Sequence, residues 1–148
     1  MQKTRLAFST LALATVSASA FATNVMTYKS PTCGCCSDWV DHMEQAGFTT
    51  QVENHDNMHS IKQKLGVSGE LASCHTAVID GYVFEGHIPA SDIKTFLDNP
   101  PSGAKGLAVP GMPLGSPGME YGDKKQPYHV YAFNEKGQVF SYNSYHQE

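Results

Sequence analysis

Four cysteines carry the chemistry that this sequence can support. Three of them lie within four positions, Cys33-Gly34-Cys35-Cys36, and the fourth is Cys74, which directly precedes His75. Two structural disulfides explain this spacing poorly, because neither adjacent cysteines nor cysteines two residues apart close a comfortable disulfide. Cys33 and Cys36 have the separation found in redox-active pairs, and pairing them leaves Cys35 and Cys74 to be explained.

A metal site explains all four thiols together. Thiol groups that converge on one point, with imidazole and thioether groups nearby, are typical of a site for a soft metal ion. In an exported protein the expected soft metal is copper. The sequence therefore predicts a copper site, and dithiol exchange is the competing hypothesis.

The N-terminus has the pattern of an export signal. Basic Lys3 and Arg5 precede an apolar run, and small residues follow up to Ala22, where we expect cleavage; Ala20 is an alternative cleavage point. The apolar run is too short for a transmembrane helix. We therefore predict a signal peptide at residues 1–22 and a periplasmic domain at 23–148 that does not insert into the membrane.

The charge balance excludes one class of partner. Removing Lys3 and Arg5 from the 10 basic residues leaves 8 against 14 acidic ones, a net charge of −6 with neutral histidines. Nucleic-acid binding needs a basic surface, so we expect no nucleic-acid partner. An acidic surface attracts cations, although it also serves plain solubility.

Periodicity and turn residues predict an α/β fold. The element order is βαβ followed by ββα, which resembles the thioredoxin fold. The expected elements are a strand from Asn24 to Lys29, a helix from near Cys36 or Ser37 to Gly47, a strand from Thr49 to Glu53, a helix from Asn57 to Gly66, a hairpin of Thr76 to Ile79 and Tyr82 to Phe84 around Asp80-Gly81, and a helix from Ala90 to Leu97.

The C-terminal third has a different character. Residues 102–127 are rich in Gly and Pro, and a hairpin is expected after them, with strands from Tyr128 to Phe133 and from Gln138 to Tyr142. The Gly/Pro segment is either a linker to that hairpin or a loop that places Met112 and Met119 over the metal. The residues alone do not distinguish these two interpretations.

The expected fold places the thiols at one end of the sheet. The cysteine triplet lies where the first strand ends and the first helix begins, and a helix N-terminus stabilises thiolates. Cys74 precedes the hairpin and is expected to face that helix start, where thioredoxin-like folds usually carry a cis-proline. A third thiol at Cys35 opens competing disulfides in an exchange enzyme, whereas in a metal cluster its sulfur bridges two ions.

Several motifs together resemble one known family. They are Thr32-Cys33-Gly34-Cys35-Cys36 with Trp39, Ser73-Cys74-His75-Thr76-Ala77, Asp80-Gly81-Tyr82, and Glu85-Gly86-His87-Ile88-Pro89-Ala90. The chain resembles domain-of-unknown-function family 411, which includes CopG-like periplasmic copper-resistance proteins, over about Val25 to Asp123. The resemblance implies a thioredoxin-like fold and a thiolate-bridged multinuclear Cu(I) cluster. It also implies a role in copper resistance and homeostasis, with interconversion of Cu(I) and Cu(II) and contact with other periplasmic copper-handling proteins.

The resemblance also implies a set of site residues. The implied cluster ligands are Cys33, Cys35, Cys36 and Cys74, with His75 and His87 in the family signature. Gly111 to Glu120 also matches family sequence, which favours Met112 and Met119 as residues that line the site.

Two other functions remain open on the sequence. A thiol-disulfide oxidoreductase would use Cys33 as nucleophile and Cys36 as resolving thiol, and whether the protein is an enzyme of this kind, a copper oxidoreductase or a binding protein is undecided. A zinc or iron-sulfur site is less favoured, because adjacent cysteines suit tetrahedral zinc poorly and an iron-sulfur protein would have to be exported with its cluster in place.

Overall fold

The computed structural model describes residues 23–147, so the predicted signal peptide lies outside the described residues. Strands and helices alternate in the first half of the chain, and strands dominate the second half. In chain order the elements are β1 (Asn24–Lys29), α1 (Gly34–Gln45), β2 (Thr49–Asn54), α2 (Met58–Lys64), β3 (Thr76–Ile79), β4 (Tyr82–Glu85), α3 (Ala90–Asp98), β5 (Ala104–Ala108), β6 (Tyr128–Asn134) and β7 (Val139–Tyr145).

One mixed sheet contains all seven of these strands, in the order β2-β1-β3-β4-β5-β6-β7. β1 runs parallel to β2 and antiparallel to β3, and β3 and β4 form an antiparallel hairpin. β4 and β5 pair in parallel across α3, and β6 and β7 continue the sheet as a second antiparallel hairpin. The architecture is therefore mixed α/β.

The main core lies between the sheet and helices α1 and α3. β1 alternates between buried and less buried residues, as its sequence predicts, so that Val25 and Thr27 face this core. Helix α1 buries Trp39, Val40 and Met43; Met43 follows Trp39 by four residues and Val40 by three, so the three side chains share one face of the helix. Burial of this face fixes the rotation of α1 and thereby the direction in which its first turn presents side chains.

Most predicted elements of the first half are confirmed. The hairpin turn at Asp80-Gly81 has positive φ at both residues, +50° and +83°, as a two-residue type I′ turn requires. Asn57 caps α2 as expected, because its side chain accepts a hydrogen bond from the backbone N–H of Ser60.

The predicted start of α1 near Cys36 or Ser37 is wrong. The helix begins at Gly34 with Cys33 as its N-cap. The reason is a tight turn in which the Cys33 N–H donates to the Ser30 carbonyl at 3.1 Å, so that helical geometry begins directly after Cys33. The thiols of the triplet therefore occupy the N-cap and the first turn.

Strand β5 links the two halves of the sheet. It lies so close to β4 that a Cβ at Gly106 would be 1.6 Å from the Val83 carbonyl oxygen. Only glycine fits there. The C-terminal hairpin is also tied to α3, because the buried Asp92 carboxylate accepts hydrogen bonds from Asn143 and Tyr145.

Within residues 23–147, no helix is both long enough and apolar enough to cross a membrane.

Candidate metal centre

The four cysteines meet at one end of the central strands β1, β3 and β4, in two groups of residues. The first group, which we call the α1 arm, is Cys33, Cys35 and Cys36 in the N-cap and first turn of α1. The second, which we call the hairpin arm, is Cys74 and His75 before β3 together with His87 after β4. Pairing of β3 with β4 brings the two parts of the hairpin arm together, and β1 brings the α1 arm beside them.

The α1 arm holds a disulfide and one free thiol. Cys33 and Cys36 are joined, with Cα atoms 5.4 Å apart, and Cys36 is fully buried while Cys33 is partly exposed. The Cys35 sulfur lies 3.6 Å from that of Cys33 and 4.0 Å from that of Cys74. All four sulfur atoms lie within 4.8 Å of one another, which is close enough for them to share metal ions.

The hairpin arm forms a second group of potential ligands. The Cys74 sulfur lies 3.0 Å from Nε2 of His87 and 3.3 Å from Nδ1 of His75. Both histidines are fully buried, and their rings meet edge to face with centroids 4.9 Å apart. The Cys74 sulfur lies within 4.8 Å of the other three sulfurs and also of a ring nitrogen of each histidine, and it therefore connects the thiol cluster to the two imidazoles.

The tautomer of His87 leaves a lone pair directed at Cys74. Nδ1 of His87 lies 2.7 Å from the Pro117 carbonyl, which can only accept, so Nδ1 carries the proton. In the neutral ring Nε2 is then unprotonated, and it accepts a hydrogen bond from the Cys74 thiol. Burial lowers the pKa of His87, which favours this neutral form. A backbone carbonyl that orients a histidine in this way is common behind metal ligands.

His75 is buried with unused hydrogen-bonding capacity. Its ring packs against Trp39 with centroids 4.5 Å apart, and its buried Nε2 atom has no hydrogen-bond partner among residues 23–147. Burial, followed by the nearby imidazole of His87 and the ammonium of Lys62, holds the pKa of His75 well below its usual value. A buried neutral imidazole with an unpaired nitrogen is unusual in a protein interior and suits a metal ligand.

The thiol of Cys74 is held in its protonated form. Burial and the neighbouring Cys35 raise the pKa of Cys74 to about 12. A metal ion must therefore displace a proton in order to bind this sulfur. The expectation of stabilised thiolates applies to the helix N-terminus and does not extend to Cys74, which lies outside the helix.

Residues 111–119 of the Gly/Pro segment pass beside both arms. The hydroxyl of Ser73 donates to the Gly111 carbonyl, and Pro117 contacts His87 as described above. At Gly118 a Cβ would lie 2.6 Å from the Cys35 carbonyl oxygen, so this glycine packs directly on the first turn of α1. Met112, which follows Gly111, is 52% exposed, whereas the neighbour of Gly118, Met119, is half-buried.

The sequence predicted most of the residues that meet at this site, but it did not predict the residues that hold them in position. The structure brings together Cys33, Cys35, Cys36, Cys74, His75 and His87, whereas for Met112 and Met119 it shows only that their segment adjoins the site. Lys62, Glu85 and Pro117 were not anticipated. An acidic residue at the end of an apolar strand was the available signal for Glu85, since such a residue is buried only when it has partners.

Comparisons with known proteins agree with one another. The family described as "Protein of unknown function, DUF411" matches residues 71–119. Two solved structures are similar, "Copper resistance protein copG- Form 2" with a TM-score of 0.81 and "Copper resistance protein copG- Form 1" with 0.80. Each is 40% identical and covers 84% of this chain, which in turn spans 99% and 98% of theirs. No curated protein matches at a significant level.

Proposed function

This chain belongs to the DUF411 family of CopG-like copper resistance proteins, and on that premise we propose that it binds copper as part of copper resistance and homeostasis. The proposed ligands are the sulfurs of Cys33, Cys35, Cys36 and Cys74, the imidazoles of His75 and His87, and the thioethers of Met112 and Met119. The bound form is a multinuclear Cu(I) cluster with bridging thiolates.

One observation carries this proposal: the sulfurs of both arms lie within 4.8 Å of one another. Cu(I) prefers thiolate and thioether sulfur and accepts imidazole nitrogen, and both donor types are present here. Four sulfurs this close provide more donor atoms than one Cu(I) ion requires. Bridging sulfurs therefore allow several ions to share the same ligands.

The oxidation state of Cys33 and Cys36 determines how many ligands are available. As a disulfide, the pair offers no thiolate, and two electrons and two protons convert it to two thiols. Conversely, two Cu(II) ions can oxidise the two thiols, giving two Cu(I) ions, the disulfide and two protons. We include this step in the proposal as the way in which the site interconverts Cu(II) and Cu(I).

The wider setting is part of the same proposal. The sheet order β2-β1-β3-β4 with α1 and α3 on the core face supports a thioredoxin-like fold extended by β5, β6 and β7. We propose that residues 1–22 direct the chain to the periplasm and that residues 23–148 act there. Other periplasmic copper-handling proteins are the proposed donors or acceptors of copper.

Copper titration of the reduced protein tests the function. Purified protein, reduced and kept anaerobic, is titrated with Cu(I) in the presence of a chromogenic Cu(I) chelator while free thiols are counted. We expect more than one tightly held Cu(I) per chain and loss of all four free thiols. A stoichiometry of zero contradicts the proposal.

The disulfide favours a second candidate function, thiol-disulfide exchange. Cys33 is the more exposed sulfur of the pair and is placed for attack by an external thiolate, with Cys36 as the leaving and resolving thiol. In an exchange enzyme Cys35→Ser retains reductase activity and Cys33→Ser abolishes it. For a copper site, Cys35→Ser impairs metal loading, so this single variant distinguishes the two functions.

A further inference from the structure

A buried ion pair lies directly behind the hairpin arm, on the α2 side of the sheet. Glu85, the last residue of β4, is completely buried, and Lys62 of α2 is 8% exposed. The Lys62 ammonium donates to one carboxylate oxygen of Glu85 at 2.5 Å. Neither residue belongs to the two clusters of potential metal ligands, so both lie outside the proposed ligand set.

The Glu85 carboxylate binds both ends of the segment that contains Cys74. One oxygen accepts from the backbone N–H of Ser73 at 2.6 Å, and the other accepts from the hydroxyl of Thr76 at 2.6 Å. Lys62 also donates to the Thr76 hydroxyl, at 3.1 Å. A single carboxylate therefore fixes the residue before Cys74 and, two residues beyond it, the first residue of β3.

Stability alone is a weak explanation for this arrangement. Moving two charges out of water costs several kcal/mol for each ion, and apolar residues of similar volume are often at least as stabilising. Here each carboxylate oxygen has a donor, and the cation balances the charge, so the pair persists without an unsatisfied group. Two apolar residues could not form the directional hydrogen bonds to Ser73 and Thr76.

We propose that Glu85 is a positioning residue for copper binding, with Lys62 as its counter-charge. It holds Cys74 at the observed 4.0 Å from Cys35, so that the hairpin arm and the α1 arm present their sulfurs to the same ions. This inference rests on the proposed function. It adds that the geometry of Cys74 is fixed by the Glu85 carboxylate, which binds the residue before Cys74 and the first residue of β3.

A double-mutant cycle tests the inference. Glu85→Leu combined with Lys62→Met removes both charges and the bonds to Ser73 and Thr76, and it leaves no unpaired ion in the interior. Its effect on Cu(I) retention against a chelator is measured with Cys74 present and in a Cys74→Ser background. Loss of a supporting partner behind a metal ligand costs about 10- to 100-fold in affinity, and we expect that loss only when Cys74 is present.

A second readout needs no copper. In the reduced, metal-free protein, the rates at which Cys74 and Cys35 are alkylated are compared by mass spectrometry. We expect the paired substitution to raise the Cys74 rate several-fold and to leave Cys35 unchanged. If the wild-type protein fails to bind Cu(I), the proposed function fails, and the alkylation rates still decide whether Glu85 positions Cys74.

Controls and a milder variant keep the outcome decisive. Glu135→Gln disrupts the exposed pair of Lys105 and Glu135, whose charged atoms are 3.9 Å apart, and should change neither readout. Thr76→Val removes one of the two directional bonds and should give a smaller effect of the same sign; it replaces the paired variant if that variant does not fold. The inference is overturned if the paired substitution lowers Cu(I) retention equally with and without Cys74. It is also overturned if neither Cu(I) retention nor the rate of Cys74 alkylation changes.

Discussion

The two arms of the site are held in place by different means. The α1 arm is fixed by the helix start and by a covalent bond between Cys33 and Cys36, which redox chemistry can open. The hairpin arm has no covalent constraint; hydrogen bonds to the Glu85 carboxylate hold its thiol segment, and a hydrogen bond to the Pro117 carbonyl holds His87. One arm can therefore change its number of ligands, whereas the other keeps a constant geometry.

This difference suggests a division of roles. We expect opening the disulfide to add two thiols to the site without moving Cys74, His75 or His87. Under the proposed function, the hairpin arm then supplies imidazoles and one thiol in both redox states, and the α1 arm controls how many copper ions bind. Each prediction below perturbs one arm and states the effect expected on copper binding or on stability.

The largest effect is expected from removing the single sulfur of the hairpin arm. Cys74→Ser eliminates the residue that connects the thiols to both histidines. Loss of a direct ligand should exceed the 10- to 100-fold typical of supporting partners, so we expect Cu(I) affinity to fall by more than about 100-fold. Competition with a chromogenic chelator measures it. An affinity within a factor of two of wild type would show that Cys74 is not a ligand.

A smaller loss is expected when the disulfide of the α1 arm stays closed. With Cys33 and Cys36 joined, only Cys35 and Cys74 can bind as thiolates, so fewer sulfurs are available to bridge copper ions. Titration of oxidised and reduced protein side by side should show fewer Cu(I) ions per oxidised chain. Equal capacity in the two states would mean that the α1 arm does not control loading.

Gly86→Ala should loosen the hairpin arm without removing any ligand. A Cβ at Gly86 would lie 2.5 Å from the Ser73 Cβ and 2.6 Å from the Val109 carbonyl oxygen, and φ is +79°. The backbone strain alone costs about 1–3 kcal/mol. Thermal or denaturant unfolding of the reduced protein measures the loss. Gly34→Ala is the matched control, because nothing lies within 4 Å of its Cβ position; equal stability of both variants would contradict this account.

The weakest effect is a dependence of copper affinity on pH. The pKa of Cys74 is raised to about 12, so its thiol is protonated near neutrality and releases a proton when it binds copper. Affinity should therefore rise as pH rises from 7 to 8. His75 and His87 add nothing to this slope, because their lowered pKa values leave them neutral above pH 7. An affinity that is independent of pH would rule out displacement of a thiol proton.

Much of the fold was predictable because its signals are local. The Asp80-Gly81 turn, the Asn57 cap and the alternation in β1 depend on neighbouring residues, and all three are confirmed. The start of α1 was misplaced because Ser30-Pro31 indicates a turn but does not indicate that helical geometry follows directly after Cys33.

The candidate site was predictable only where chemistry is visible in residue type. The spacing of the cysteines predicted a shared thiol site, and the family resemblance added His75 and His87; the structure brings these residues together. Their supporting residues depend on contacts across the sheet, such as that between Lys62 and Glu85, and no local pattern encodes such a contact. The carbonyl of Pro117 is a backbone group, so residue type carries no information about its role.

X-ray absorption at the copper K-edge of the reduced, Cu(I)-loaded protein tests most directly whether both arms bind the same ions. We predict a first shell dominated by sulfur, a resolved copper-copper contact, and loss of that contact in Cys74→Ser. A shell of nitrogen and oxygen alone, or a spectrum unchanged by Cys74→Ser, would contradict a cluster shared between the α1 arm and the hairpin arm.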